Sequence, residues 1–181
     1  MSKHGESLRR LGVCPEAVVF AETHKTLGAA WTACARGDWM LWYAGKVAGG
    51  PTSAGRRKLV LAACACARKT LKHLAKGERR PLAAIRTAER WARGERGVTL
   101  AQVDAAAYVA NAAAANAAVN AAYVANAANA AANAANAAVN TAVNANTRTE
   151  MLARCAVIVR KHYPTPPRDS SSKTTKKSET K

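Results

Sequence analysis

The stretch RRKLVLAACACARKTLKHLAK, residues 56–76, is the most regular part of the chain and decides its fold class. At 100° per residue, its apolar side chains fall in one broad arc, and its basic side chains fall in a narrower arc on the opposite side. Only Leu61 departs from that division. The pattern predicts an amphipathic α-helix from Arg56 to Lys76 that buries one side and exposes a row of cations.

The segments that precede this helix also carry helix signals. A proline at a first-turn position predicts a helix over residues 15–23. A second apolar stretch covers residues 27–35. We predict that Asp38 is the N-cap of a third helix over residues 39–44, because an aspartate side chain can accept a hydrogen bond from the first free backbone N–H groups. Glycines and a proline then mark residues 45–55 as a loop.

Helix signals continue on the C-terminal side. Pro81 opens a predicted helix over residues 82–93, which glycines terminate. Thr99 and Gln102 have the spacing of a capping box, and they predict the start of another helix. Strand-favouring residues are sparse and scattered through the chain. The sequence therefore predicts an all-α fold, with a single helical domain over residues 1–163.

An alanine- and asparagine-rich segment fills residues 105–147. Residues 105–145 hold 24 Ala and 9 Asn, and no charged residue interrupts the segment. Since Ala is the best helix former, we predict one long helix. At about 1.5 Å per residue it would reach about 65 Å, so it projects or bends near residues 144–149. Six asparagines share one side and are suited to join a second helix or a second copy of the chain: Asn111, Asn126, Asn129, Asn133, Asn136 and Asn140.

A short helix and a polar tail complete the chain. We predict a last helix over residues 150–162, with Thr147 or Thr149 as its N-cap. Beyond it the composition changes to Pro, Ser, Thr and Lys. Such a segment has too few apolar residues to fold, so residues 164–181 are predicted to be a disordered basic tail.

The charge balance is strongly basic, with 28 Lys and Arg against 11 Asp and Glu and a formal net charge of +17. Residues 56–80 alone hold nine Lys and Arg and one Glu. A solvated helix face usually mixes both signs, whereas this one suits the phosphates of nucleic acid or the surface of another partner. The candidate residues are Lys58, Arg68, Lys69, Lys72, Lys76, Arg79 and Arg80.

Three aromatic residues, Trp39, Trp42 and Tyr43, lie close together in the predicted third helix. Aromatic rings next to cations can stack on nucleic-acid bases. Their position beside Leu41 favours the alternative, in which they pack against the core. Both interpretations remain open from the sequence.

No catalytic or cofactor motif occurs, since the chain lacks a Gly-rich phosphate loop, HExxH and a nucleophile elbow. Cys64, Cys66, His73 and His162 are metal-ligand types, but their spacing differs from that of structural zinc sites. Five cysteines without a secretory signal predict free thiols in the cytoplasm. No apolar run of about 20 residues could span a bilayer. We therefore predict no enzyme activity, no cofactor, no metal and no membrane contact.

Four short motifs lie between Trp31 and Arg160, and the resemblance that they carry covers about residues 8–164. They are Trp31-x-x-Cys34-x-Arg36-Gly37-Asp38-Trp39-x-Leu41-Trp42, Arg57 to Ala65, Ala84-x3-Ala88-Glu89-x-Trp91, and Cys155-x-x-Ile158-Val159-Arg160. This set resembles the immunity proteins of bacterial polymorphic toxin systems. The resemblance implies an all-helical fold and a protein that neutralises a cognate toxin by binding it. It brings no enzymatic residues.

The chain departs from that family in two respects. The Ala-rich stretch of the family is interspersed with Tyr, Asp and Arg, whereas here Asn replaces nearly all of them. Inhibitors of nucleases often present acidic surfaces that imitate nucleic acid, but this chain is strongly basic. Its charge therefore argues against simple mimicry of a polyanion.

Overall fold

The computed structural model describes residues 2–69, 71, 79–113 and 145–168. These residues form helices and no strand, so the prediction of an all-α fold is confirmed for them. The helices are α1 Lys3–Arg10, α2 Pro15–Glu22, α3 Leu27–Ala33, α4 Gly37–Val47, α5 Ala54–Arg68, α6 Arg80–Ala92, α7 Leu100–Ala113 and α8 Ala145–His162.

Most of the predicted Ala/Asn-rich helix and most of the predicted tail lie outside the described residues. Helix α7 covers the beginning of that segment and α8 covers its end. The first residues of the predicted disordered tail are ordered against α4, since the hydroxyl of Tyr43 donates to the carbonyl of Pro167 at 3.3 Å. The predicted boundary at residue 163 therefore does not coincide with the end of the packed chain.

Helix α5 forms the centre of the core. Leu59, Val60 and Cys66 are at most 1% exposed, which confirms the predicted apolar arc in this part of the helix. Helix α5 packs against α6 and α8, and also against α4. This arrangement buries one side of α5 and leaves Lys58 and Arg68 exposed.

The predicted bounds of this helix, Arg56 to Lys76, are wrong at both ends. It begins at Ala54 because the hydroxyl of Ser53 accepts the backbone N–H of Arg56 and serves as the N-cap. The α-helix ends at Arg68, where the N–H of Lys69 bonds three residues back to the carbonyl of Cys66 and tightens the last turn.

A smaller core lies between α1, α2 and α3, where Leu8, Val18, Ala21 and Ala30 are buried. Helix α1 has no counterpart among the predicted helices. Its sequence, KHGESLRR, contains one large apolar residue and so shows no apolar period. The ring of His4, which bonds the carbonyl of Ala21 at 3.0 Å, helps to hold α1 on α2.

Helix α4 begins at Gly37, and the predicted N-cap, Asp38, is wrong. Arg36 occupies the N-cap position, and Asp38 lies in the first turn. The carboxylate of Asp38 accepts two hydrogen bonds from the Arg36 guanidinium, at 2.9 and 2.6 Å. The helix also continues through Gly45 to Val47, so the loop predicted from residue 45 begins later.

Helix α8 contributes Cys155, Ala156 and Val159 to the core. Thr147 and Thr149, predicted as alternative caps, lie inside α8, whose described part begins at Ala145. Those predictions are wrong because neither Gly nor Pro interrupts the chain here, so the helix starts before either threonine.

The capping box at the start of α7 is confirmed. The N–H of Thr99 donates to Oε1 of Gln102 at 2.8 Å, and the N–H of Gln102 donates to Oγ1 of Thr99 at 3.3 Å. Two backbone donors at the helix start are thereby satisfied. The cap fixes the point at which the chain turns back to pack α7 on α6.

Replacing Thr99 with alanine is expected to lower the free energy of unfolding by about 1 kcal/mol, the usual cost of a lost N-cap. Urea denaturation followed by circular dichroism measures this change. Thr87→Ala, inside α6, is the matched control, because its hydroxyl only bonds the carbonyl of Ala83 in its own helix. An equal loss in both variants would show that Thr99 has no capping role.

Candidate functional site

An apolar groove lies between α1, α2, α3 and α4. It encloses about 290 Å³. Five aromatic residues line its walls, together with aliphatic side chains from α1, α2 and the loops: Phe20, Trp31, Trp39, Trp42 and Tyr43. A concave apolar surface with a few polar groups is the usual form of a binding site.

Three of these aromatic residues come from one side of α4. Trp39, Trp42 and Tyr43 follow the i, i+3, i+4 spacing of a helix face and are half-buried, whereas Met40 and Leu41 point into the core. The ring centroid of Trp39 lies 6.0 Å from that of Phe20 in α2. Trp39 and Tyr43 therefore pack against the core, as the packing alternative predicted, and all three side chains form part of the wall of an open groove.

Two cations cover the tryptophans of the groove. The guanidinium of Arg36 lies 4.3 Å from the ring centroid of Trp39, and Nζ of Lys46 lies 4.8 Å from that of Trp42. Asp38 already pairs with Arg36. These contacts place positive charge on the groove rim, next to the largest apolar surfaces.

The thiols of Cys34 and Cys64 show no sign of activation. Burial raises the pKa of Cys34, which lines the groove, and raises the pKa of Cys64 to about 12. Cys64 and Cys66 belong to the core, where their thiols contact the carbonyls of Ile85 and Cys155. A raised pKa keeps these thiols protonated at neutral pH, so they are poor nucleophiles.

The sequence contains residue types that can bind a metal ion, including Cys64, Cys66, His73 and His162. Among the described residues, His, Cys, Asp and Glu side chains form no group of three that could hold a metal ion. His162 lies beside Lys58, and its pKa is lowered by burial and by that positive charge. His73 lies outside the described residues.

The predicted polyanion-binding residues are only partly brought together. Lys58, Lys69, Arg79 and Arg80 are exposed. Arg68 is exposed as well, but its guanidinium donates twice to the carboxylate of Glu89 at 2.7 Å. Arg68 is thus partly neutralised, and it lowers the pKa of Glu89. Lys72 and Lys76 lie outside the described residues.

Most of the predicted asparagine stripe lies outside the residues that the structure describes. Asn111 lies in α7. The other members, Asn126, Asn129, Asn133, Asn136 and Asn140, lie outside the described residues.

The positive charge is concentrated in one half of the fold. Residues 2–53, which contain the groove, hold six Lys and Arg and four Asp and Glu. The rest of the described chain, from residue 54 to 168, holds sixteen Lys and Arg and four Asp and Glu. We call these described residues, which comprise α5 to α8, the basic half. The number of charged residues can be read from the sequence. The packing of α5 on α6 and α8 brings these residues into one part of the fold.

No protein-family model, curated protein or solved structure matches this chain. Within the part of the chain that the structure describes, no helix has both the length and the apolar character needed to cross a membrane.

Proposed function

We propose that this protein is a non-enzymatic immunity protein that neutralises a cognate bacterial toxin by stoichiometric binding. The observation that carries the proposal is the aromatic groove between α1 and α4. Trp, Tyr and Arg are the residue types that dominate the energy of protein–protein contacts. The groove presents tryptophan and tyrosine, and Arg36 lies next to it over the ring of Trp39.

The motif that resembles the immunity proteins supports this assignment independently. Its segment from Trp31 to Trp42 runs through α3 and into α4. Six residues of that segment line the groove: Trp31, Cys34, Asp38, Trp39, Met40 and Trp42. One of the four motifs that carry the resemblance therefore supplies much of the lining of the proposed binding groove.

The groove defines the chemistry of the toxin surface that would fit it. Its apolar walls take one or more apolar side chains of the toxin. Lys46, above Trp42, would pair with a carboxylate next to those side chains, since ion pairs at an interface rim favour encounter and fix orientation. We therefore propose an apolar ridge flanked by acidic residues as the toxin's contact.

The remaining features of the chain fit into the same proposal. A cytoplasmic location follows from it, because free thiols persist in a reducing compartment, and the five cysteines are free. We also retain the long Ala/Asn-rich helix, the basic tail beyond the described residues and self-association through the asparagine stripe as proposals. A mass that stays monomeric at every protein concentration would contradict that self-association.

Co-expression with candidate toxins tests the proposed function. The intact chain is expected to restore growth against its cognate toxin and to form an equimolar complex with it. Failure to protect against any candidate, with no complex detected, contradicts the proposal.

The groove itself is tested by Trp39→Ala and Trp42→Ala. Each is expected to weaken toxin binding by about tenfold to a hundredfold, because anchor residues at interfaces contribute about 1–3 kcal/mol. Isothermal titration calorimetry measures the affinity. Val157→Ala is the matched control, since Val157 is an exposed apolar side chain of α8, away from the groove. Unchanged affinity in both tryptophan variants, with the helical content intact, would exclude the groove as the contact.

A further inference from the structure

The basic half carries an excess of charge that its own carboxylates do not neutralise. Glu89 pairs with Arg68 at 2.7 Å, and Arg93 lies 3.8 Å from the same carboxylate. The carboxylates of Glu95 and Glu150 also contact arginines, within 4 Å in each case. The sixteen cations and four acidic residues of this half leave a formal charge of +12.

Several cations are bound to the fold and yet remain charged. The guanidinium of Arg57 donates to the carbonyl of Trp91 at 2.8 Å and lies over its ring. Arg160 donates to the carbonyl of Cys34 at 2.6 Å. Carbonyl oxygens and aromatic faces satisfy the donors without cancelling the charge. The structure therefore fixes positive charges in place instead of neutralising them.

Helix α5 sets the spacing of two exposed cations. Lys58 lies in α5, and Lys69 is its C-cap residue with helical backbone angles. Their separation of eleven residues corresponds to about three turns, so the two lysines lie on the same side and about 16 Å apart. Lys58 lies at the junction with α8, where its Nζ is 4.8 Å from the ring centroid of Tyr163. The two lysines therefore span a distance that covers several phosphates of a nucleic-acid strand.

We propose that the basic half binds the phosphate backbone of nucleic acid without sequence specificity, through a surface that includes Lys58 and Lys69. This binding surface is distinct from the groove and does not depend on the proposed toxin neutralisation. Cations held on three packed helices suit a long polyanion, because each contact releases condensed counterions and the contributions accumulate.

Two features of the basic half favour nucleic acid over other acidic partners. A membrane-binding surface needs apolar side chains that insert between lipids. Among the side chains of this half that the structure describes, which leave out those of residues 107–113 and 145–147, Val157 is the one large hydrophobic group that is exposed. A protein partner needs buried aromatic anchors, and the aromatic groove of this molecule lies in the other half.

The test measures binding of the full-length protein to a labelled DNA duplex and a labelled single-stranded RNA by fluorescence anisotropy. The affinity is expected to fall steeply between about 50 and 200 mM salt, as counterion release requires. In Lys58→Glu/Lys69→Glu the log–log slope on the duplex is expected to decrease by about two, with at least a tenfold loss of affinity at low salt.

Lys3→Glu/Lys25→Glu is the matched control, because it makes the same change in net charge at exposed lysines of the other half. It is expected to keep the affinity within about twofold of the parent protein. Lys58→Gln/Lys69→Gln provides a milder second variant if charge reversal impairs folding, which circular dichroism detects. An equal loss of nucleic-acid affinity in Lys58→Glu/Lys69→Glu and in Lys3→Glu/Lys25→Glu contradicts the proposal. The absence of binding to both the DNA duplex and the RNA also contradicts it. Tighter binding to vesicles of anionic lipid than to DNA or RNA contradicts it as well.

Discussion

Replacing Trp31 with alanine is expected to lower the free energy of unfolding by about 4 kcal/mol, within the range for truncating a buried aromatic residue. Trp31 is 4% exposed and belongs to the main core. Its indole Nε1 donates to the carbonyl of Tyr163 at 2.8 Å, and its ring packs edge-on against Tyr43. The variant therefore loses both packing and a hydrogen bond between segments far apart in the chain.

The same junction is strengthened from α8. Nη1 of Arg160 donates to the carbonyl of Cys34 at 2.6 Å and lies 3.4 Å from the carbonyl of Trp31. Carbonyls at a helix C-terminus have no partner within the helix, so the guanidinium acts as a cap for α3. Loss of Trp31 thus weakens the joint that holds α3, and one wall of the groove, against the end of α8.

Trp31→Phe separates the two contributions. Phenylalanine keeps most of the ring volume but cannot donate, so we expect a loss of about 1–2 kcal/mol. Urea denaturation followed by far-ultraviolet circular dichroism measures both variants without relying on tryptophan emission. A loss below about 1 kcal/mol in Trp31→Ala would contradict the burial of this side chain.

Local signals in the sequence predicted the helices well, because the relevant contacts are close in the chain. The apolar arc of α5 follows the helical period, and the Thr99–Gln102 capping box spans a single turn. The end of α5 at Arg68 was missed, since the apolar period continues past it. The prediction of Asp38 as an N-cap was wrong because its carboxylate pairs with the guanidinium of Arg36, two residues earlier, instead of with the backbone N–H groups at the helix start.

The two proposed binding surfaces depend on tertiary contacts that local signals do not contain. The sequence placed Arg68 among the predicted polyanion-binding residues. Its ion-pair partner, Glu89, lies 21 residues away, so spacing in the sequence could not predict the pair. The groove needs four helices to converge. Its signal in the sequence was the i, i+3, i+4 spacing of Trp39, Trp42 and Tyr43, which is equally typical of a core-facing helix side. The tertiary structure decides the matter, because α4 packs on α5 and α8 while the aromatic side chains line the groove that α4 forms with α1, α2 and α3.

Gly37 shows how closely that packing is set, and Gly37→Ala is expected to cost about 3 kcal/mol, the upper part of the range for overpacking. A Cβ atom at Gly37 would lie 2.5 Å from Cβ of Cys155 and 2.6 Å from the backbone nitrogen of Ala156. The backbone of α8 cannot move away from the added Cβ atom as the end of a flexible side chain could. The first turn of α4 would therefore have to move away from α8.

Gly28→Ala is the matched control, because a Cβ there meets nothing closer than Oγ1 of Thr26 at 3.7 Å. Gly28 lies in α3, so this change is expected to be neutral or to stabilise by up to about 1 kcal/mol. Equal stability of the two variants in urea denaturation would contradict the close approach of α4 and α8. Since Trp39 and Trp42 follow Gly37 on the same helix, Gly37→Ala should also weaken partner binding in the protein that remains folded. A variant that loses stability but binds with unchanged affinity would show that the groove tolerates movement of α4.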